Sequence, residues 1–131
     1  MHITPRQLRF NDVAQMGHVN NAVIMEFFDL GKSEFFTAVG LPPEEGEFTV
    51  MVVHVEVDFH TQILYHDRIH VTTRVDGFGT KSLRVVQQVV NTATGEPCAT
   101  CKTVMAGYSR TTRRATVIPD TIKDRIHRYQ E

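Results

Sequence analysis

Apolar residues recur at Ile24, Phe27, Phe28, Gly31 and Phe35, at intervals of three and four that place side chains on one face of an α-helix. The pattern predicts an amphipathic helix with a heavily aromatic stripe, ended by Gly40, Pro42 and Pro43. Gly31 is a poor helix former, so its place on the stripe predicts a close approach of the helix backbone to a sheet. From Thr49 the period changes to two. Val53, Val55, Val57 and Phe59 fall on one face of a strand, and His54, Glu56, Asp58 and His60 on the other.

Further strands are expected over residues 68–75, 83–90 and 98–108, with the turn DGFGTKS before the second and NTATGE closing a hairpin into the third. Residues 3–10 read as a short first strand, and the tail from Pro119 as a short, solvent-exposed helix. One long helix followed by four long, hairpin-linked strands predicts a single α+β domain over residues 1–131, with an antiparallel sheet wrapped around the helix. Such a sheet buries one face on the helix and leaves the other face and one long edge uncovered. Self-association is the expected remedy.

Composition narrows the function classes. A chain of 131 residues supports one ordinary core without disulfides or a structural metal. A formal net charge of −1 argues against a general nucleic-acid binder, which would carry a basic excess. The start MHITPRQLRF lacks an apolar signal region, and apolar runs such as Val50 to Val53 are too short to cross a bilayer. A cytoplasmic protein with no membrane partner is therefore expected. Cys98 and Cys101 form a lone C-x-x-C on a strand, where positions three apart face opposite sides and do not readily serve one site. His54, His60, His66 and His70 lack a ligand spacing on one helix face, so no metal is expected.

The candidate chemistry lies at the helix opening, in RFNDVAQMGHVNNAVIMEFFDLGK, from Arg9 to Lys32. Asn20 is a good N-cap whose side chain takes an amide one turn in, which leaves the N–H of Asn21 unpaired and pointing outward. With the helix dipole behind it, that donor suits a carbonyl oxygen or a phosphate.

The same stretch resembles the hotdog-fold acyl-CoA thioesterases of the 4-hydroxybenzoyl-CoA thioesterase type, whose motif runs roughly R-x-x-D-x-D-x-x-G-H-V-N-N into a central helix. Arg9, Asp12, Gly17, His18, Val19, Asn20 and Asn21 fit it. The place of the second aspartate, which in the family attacks the thioester or activates water, holds Ala14. Val55 to Val75 is similar to the family's second and third strands, and Val117 to Asp120 to its lead-in to a last helix. The resemblance implies a hotdog fold, a coenzyme A thioester as substrate and no separate cofactor. It also implies a homodimer or dimer of dimers (a homotetramer), with active sites between protomers and the Asn21 amide as polarising donor.

With Ala14 unable to attack or deprotonate, three residues are candidates for the base. Asp12 either serves from two residues earlier or pairs with Arg9. His18 titrates near neutral pH and either activates water or hydrogen-bonds backbone in its loop. Glu26 stands on the helix face opposite the stripe, as a helix-borne base or as a solvated residue. Arg110, Arg113 and Arg114, with Lys102 on the preceding strand, form a basic patch that either meets the phosphates of coenzyme A or ends a strand in solvent. The expected function is acyl-CoA thioester hydrolysis, with Asp12, His18 and Asn21 as catalytic candidates and Asn20, Arg110, Arg113 and Arg114 as binding candidates. Its first rival is a degenerate hotdog domain that binds acyl-CoA or an acyl carrier without hydrolysis. A hotdog hydratase, needing a catalytic His and Asp pair, ranks behind both.

Overall fold

A computed structural model describes residues 1–9, 12–13, 17–41 and 46–131. Ala14 and Met16 of the motif, and Pro42 and Pro43 beyond the helix, lie outside the described residues. The elements follow in the order β1 (His2–Arg6), α1 (Asn21–Ala38), β2 (Phe48–Phe59), β3 (Ile69–Phe78), β4 (Ser82–Asn91), β5 (Pro97–Ser109), β6 (Arg114–Ala115) and α2 (Asp120–Gln130). The strands make one antiparallel sheet in the order β1-β3-β4-β5-β2, with the short β6 paired to β5.

Helix α1 forms where the stripe predicts and buries Ile24, Phe27, Phe28, Gly31, Lys32, Phe35 and Phe36. Alternate residues of the central strands meet it: Val71 and Thr73 from β3, Leu83, Val85, Gln87 and Val89 from β4, and Cys101, Thr103 and Met105 from β5. Each fully buried Phe or Val contributes about 1.5–3 kcal/mol by leaving water. Gly31 has the use its position predicts. A Cβ there would stand 2.9 Å from Gln87 Nε2 and 3.0 Å from both Thr73 Oγ1 and Val71 Cγ1, so only a bare backbone fits.

Two expectations need correction. The C-terminal helix is not merely solvent-exposed: Ile122 and Ile126 are buried in a cluster with Phe35, Phe36, Leu83 and Ile118. Gln130 also accepts from the Val75 N–H at 2.6 Å and donates to the Val75 carbonyl at 3.1 Å, taking the place of a strand neighbour at the edge of β3. Secondly, β2 does not alternate cleanly from Val53. A register shift between Val52 and His54 makes Val53 the extra residue of a β-bulge, after which Val55, Val57 and Phe59 lie opposite Thr103, Cys101 and Ala99.

Strand β2 is an edge of the sheet, 12 residues long, and apolar where it is open: Val52 is 45% exposed, Val53 62% and Phe59 43%. A long apolar edge of this kind is a template for pairing. The two cysteines are free and buried. Burial pushes the Cys101 thiol upward, against a hydrogen bond with Thr103.

Candidate active site at the helix opening

The loop before α1 is held from two sides. The Val19 N–H donates to the Ile63 carbonyl at 2.7 Å, and the Asn20 N–H to the Asp12 carbonyl at 3.0 Å. Isolated bridges pair Val13 with Val19 and His18 with Leu64. Gly17 enters this loop at φ 88°, in the left-handed region that costs glycine little. His18, Val19 and Asn20 are thus held between the Asp12 turn and the connection from β2 to β3.

Asn20 caps the helix as its residue type predicts, with an extended backbone (φ −65°, ψ 138°) and its side-chain oxygen accepting from the Ala22 N–H at 2.8 Å. Its carbonyl takes the N–H groups of Val23 and Ile24. Among the described residues no acceptor meets the N–H of Asn21. Asn21 lines a cleft of about 170 Å³, together with His18, Ile24, Phe59, His60 and Ile63 among others.

His18 is half-buried beside this donor, and its Nδ1 lies 3.2 Å from the Val19 carbonyl. A carbonyl oxygen only accepts, so this contact requires the proton on Nδ1 and leaves Nε2 as the basic nitrogen of the neutral ring. His60, which the period-two pattern placed only on the polar face of β2, also lines the cleft and hydrogen-bonds Thr100 Oγ1 at 2.9 Å.

Asp12 is 1% exposed, and Arg9 engages both of its carboxylate oxygens. The Arg9 N–H donates to Oδ2 at 2.8 Å and the guanidinium to Oδ1 at 2.9 Å. Burial alone would raise this carboxyl, but the Arg9 hydrogen bonds and charge, with a contribution from Arg6, outweigh it and hold it below the ordinary aspartate value. The geometry is that of a brace for the loop. Glu26 is exposed on the outer side of α1.

The basic patch is only partly assembled. Arg110 and Arg113 belong to the turn between β5 and β6 and Arg114 opens β6; the Arg110 N–H donates to the Glu47 carbonyl and Arg113 sits at φ 57°. The Glu47 carboxylate accepts from Ser109 and Thr111 hydroxyls, which hold it below its ordinary range with a smaller contribution from Arg110. Lys102 does not join them: it lies well along β5, opposite Glu56. The turn adjoins Phe48, whereas the Asn21 cleft adjoins Phe59, so the length of β2, about 35 Å, separates them within one protomer.

Two features escaped the sequence reading. Lys32 is buried, its ammonium 3.3 Å from Asp29 at the other end of the groove between α1 and β2. A second basic group, Arg6 and Arg68, lines a separate cleft with His66, built from chain segments about sixty residues apart whose meeting no local pattern announces. Among the described residues no three His, Cys, Asp or Glu side chains group as metal ligands. No helix of the described residues is long and apolar enough to cross a membrane.

An antiparallel sheet carrying the helix α1 defines an α+β fold. Comparison with known proteins agrees. The model of the thioesterase-like superfamily matches residues 8–126, and the chain belongs to that superfamily. A thioesterase from Thermus thermophilus, crystallised with coenzyme A and zinc, is 31% identical, with 95% of each chain covered and a TM-score of 0.81. The PA5185 protein of Pseudomonas aeruginosa is 26% identical, over 98% of this chain and 90% of that one, with a TM-score of 0.87. A 1,4-dihydroxy-2-naphthoyl-CoA thioesterase from Synechocystis shares the fold at a TM-score of 0.85 and 15% identity, over 98% of this chain and 97% of that one. No curated protein matches the chain.

Proposed function

We propose that the protein hydrolyses acyl-CoA thioesters at the N-terminus of α1. The observation that carries this reading is that Asn21, whose N–H meets no acceptor among the described residues, lines one cleft with His18. The thioester carbonyl oxygen accepts from that N–H, with the helix dipole favouring the charge that develops on it. His18 Nε2 takes a proton as water attacks the carbonyl carbon. The tetrahedral intermediate then collapses, the carbon–sulfur bond breaks, and the proton passes to the departing thiolate of coenzyme A. Asn20 and Asp12 position the donor and the loop, while Ile24 and Phe59, which line the same cleft, border the acyl group.

The active unit in this reading is a homodimer formed through β2, and two such pairs make the dimer of dimers. If two copies of β2 pair antiparallel over their whole length, the two-fold axis falls between Val53 and His54, in the bulged and most open part of the strand. The Phe48 end of one copy then lies beside the Phe59 end of the other. This carries the partner's Arg110, Arg113 and Arg114 toward the Asn21 cleft, where they suit phosphates of coenzyme A. Each sheet also closes over the apolar groove of its neighbour.

The test is thiol release from short, long and aromatic acyl-CoAs, with His18→Ala measured in parallel. Turnover that falls about 10² to 10⁴-fold on loss of His18 supports a histidine base. Binding of acyl-CoA with no turnover on any substrate would instead support a degenerate binder, consistent with Ala14 at the family's carboxylate position.

A further inference from the structure

A cleft of about 700 Å³ lies between the end of β1 and the turn before β3, lined by Arg6, Leu8, Tyr65, His66, Asp67 and Arg68 among others. It brings together two guanidinium groups and two aromatic rings. Arg6 lies with its guanidinium carbon 5.1 Å from the ring centroid of the buried Phe27, and its Nε is buried without a hydrogen-bond partner. Among the described residues no ion pair takes up Arg6 or Arg68. The one carboxylate in the group, Asp67, is spent locally: its Oδ2 accepts from the Leu64 N–H at 2.9 Å and closes the turn. Tyr65 is 43% exposed, with the His66 ring edge-on 5.3 Å away, so aromatic surface is open to a planar ring.

The backbone here is fixed. The Thr92 N–H and hydroxyl both donate to the Arg68 carbonyl, and the Asp67 N–H closes on the Leu64 carbonyl at 2.9 Å. Leu64 is also the bridge partner of His18, so this cleft begins where the Asn21 site ends. Counting the bridge, the turn and the three residues from His18 to Asn21, the two sites stand within roughly 20 Å. That is a span suited to an extended pantetheine diphosphate arm.

We propose that this cleft seats the phosphorylated nucleoside end of the thioester's carrier. Arg6 and Arg68 meet the phosphate and Tyr65 the purine, all from the protomer whose Asn21 holds the carbonyl. Two guanidinium groups supply fork-shaped donors for a dianionic phosphate, and the buried Arg6 donor gains a route to an acceptor that the protein itself does not give it. The inference rests on the acyl-CoA reading of the Asn21 site and assigns the purine and its 3′-phosphate to a cleft in the same protomer, leaving the diphosphate to the partner's Arg110 to Arg114 turn.

The probe is adenosine 3′,5′-bisphosphate, titrated calorimetrically into the wild-type protein, Arg68→Ala and the double variant Arg113→Ala/Arg114→Ala. KM for an acyl-CoA and for the matching acyl-pantetheine, which lacks the nucleotide, is measured beside it. The expected result is a loss of bisphosphate affinity on the order of tenfold in Arg68→Ala, about one charge-assisted hydrogen bond, with a similar rise in KM for acyl-CoA alone. Arg68 is exposed, so its removal leaves the core intact. No bisphosphate binding to the wild type, unchanged affinity in Arg68→Ala, or a loss confined to Arg113→Ala/Arg114→Ala overturns the assignment. If neither thioester turns over, the acyl-CoA hydrolase reading fails, while the bisphosphate titration still decides the cleft.

Discussion

Gln87 Nε2 donates to the Phe28 carbonyl at 2.8 Å, so the centre of the sheet is hydrogen-bonded directly to the middle of α1. The same nitrogen lies 3.1 Å from Thr73 Oγ1 and occupies the space that a side chain at residue 31 would need. Gly31→Ala therefore sets two effects against each other. Alanine gains about 1 kcal/mol of helix propensity, but overpacking at a buried contact costs about 1–3 kcal/mol and also disturbs this hydrogen bond. The expected net effect is destabilisation, read as a lower midpoint in urea denaturation.

Asn20 is the residue that leaves the Asn21 amide available, because its side chain serves Ala22 instead. Asn20→Ala is expected to cost about 1 kcal/mol of stability, and Asn20→Asp, which keeps an accepting oxygen, much less. Thermal denaturation of the two variants side by side checks the role of the cap.

The brace between Arg9 and Asp12 gives stability a defined pH dependence. The Asp12 carboxyl lies below its ordinary value of about 3.9, so its contribution is fully present above that pH. It is lost as pH falls from there through the lower folded value. At neutral pH, Asp12→Ala is expected to cost about 1 kcal/mol, chiefly because the half-buried Arg9 N–H loses its acceptor. The gap between wild type and variant, measured by denaturation across pH, should narrow in acid; a gap that widened below pH 4 would reverse the expected sign and rule out a stabilising Asp12 carboxylate.

Pairing through β2 predicts that a charge at its open centre separates the copies. Val53 is 62% exposed in the single protomer, so Val53→Lys costs the monomer little while burying an ammonium in the paired state. Sedimentation should show the wild type as a dimer or larger and the variant shifted toward monomer, with thiol release falling alongside if the site needs both copies.

The helix, the strand pattern and the capped amide were legible because each depends on neighbours in sequence: the stripe from Ile24 to Phe35, the alternation from Val55 to Phe59, and the Asn20 cap two residues from Ala22. What was not legible depends on pairing across the sheet. Val53 reads as one more alternating valine until β5 shows it to be a bulge, and Gln130 reads as a polar tail residue until it meets Val75. Lys102 looks close to Arg110 in sequence, but eight residues of extended strand keep them roughly 26 Å apart. Arg6 and Arg68 look unrelated until β1 pairs with β3 and sets Arg6 opposite Ile69.

The central claim is that the backbone N–H of Asn21 polarises the substrate carbonyl, and Asn21→Pro removes that atom and little else. Asn21 is the first residue of α1, where proline's fixed φ is compatible with the helix, and Asn20 already has the extended backbone that proline requires before it. With Asn21→Ala as the control that keeps the N–H, the measurement is kcat for thiol release from the best acyl-CoA. The account predicts near wild-type turnover for Asn21→Ala and a fall of roughly 10² to 10³-fold for a folded Asn21→Pro. Equal turnover in the two variants would contradict it.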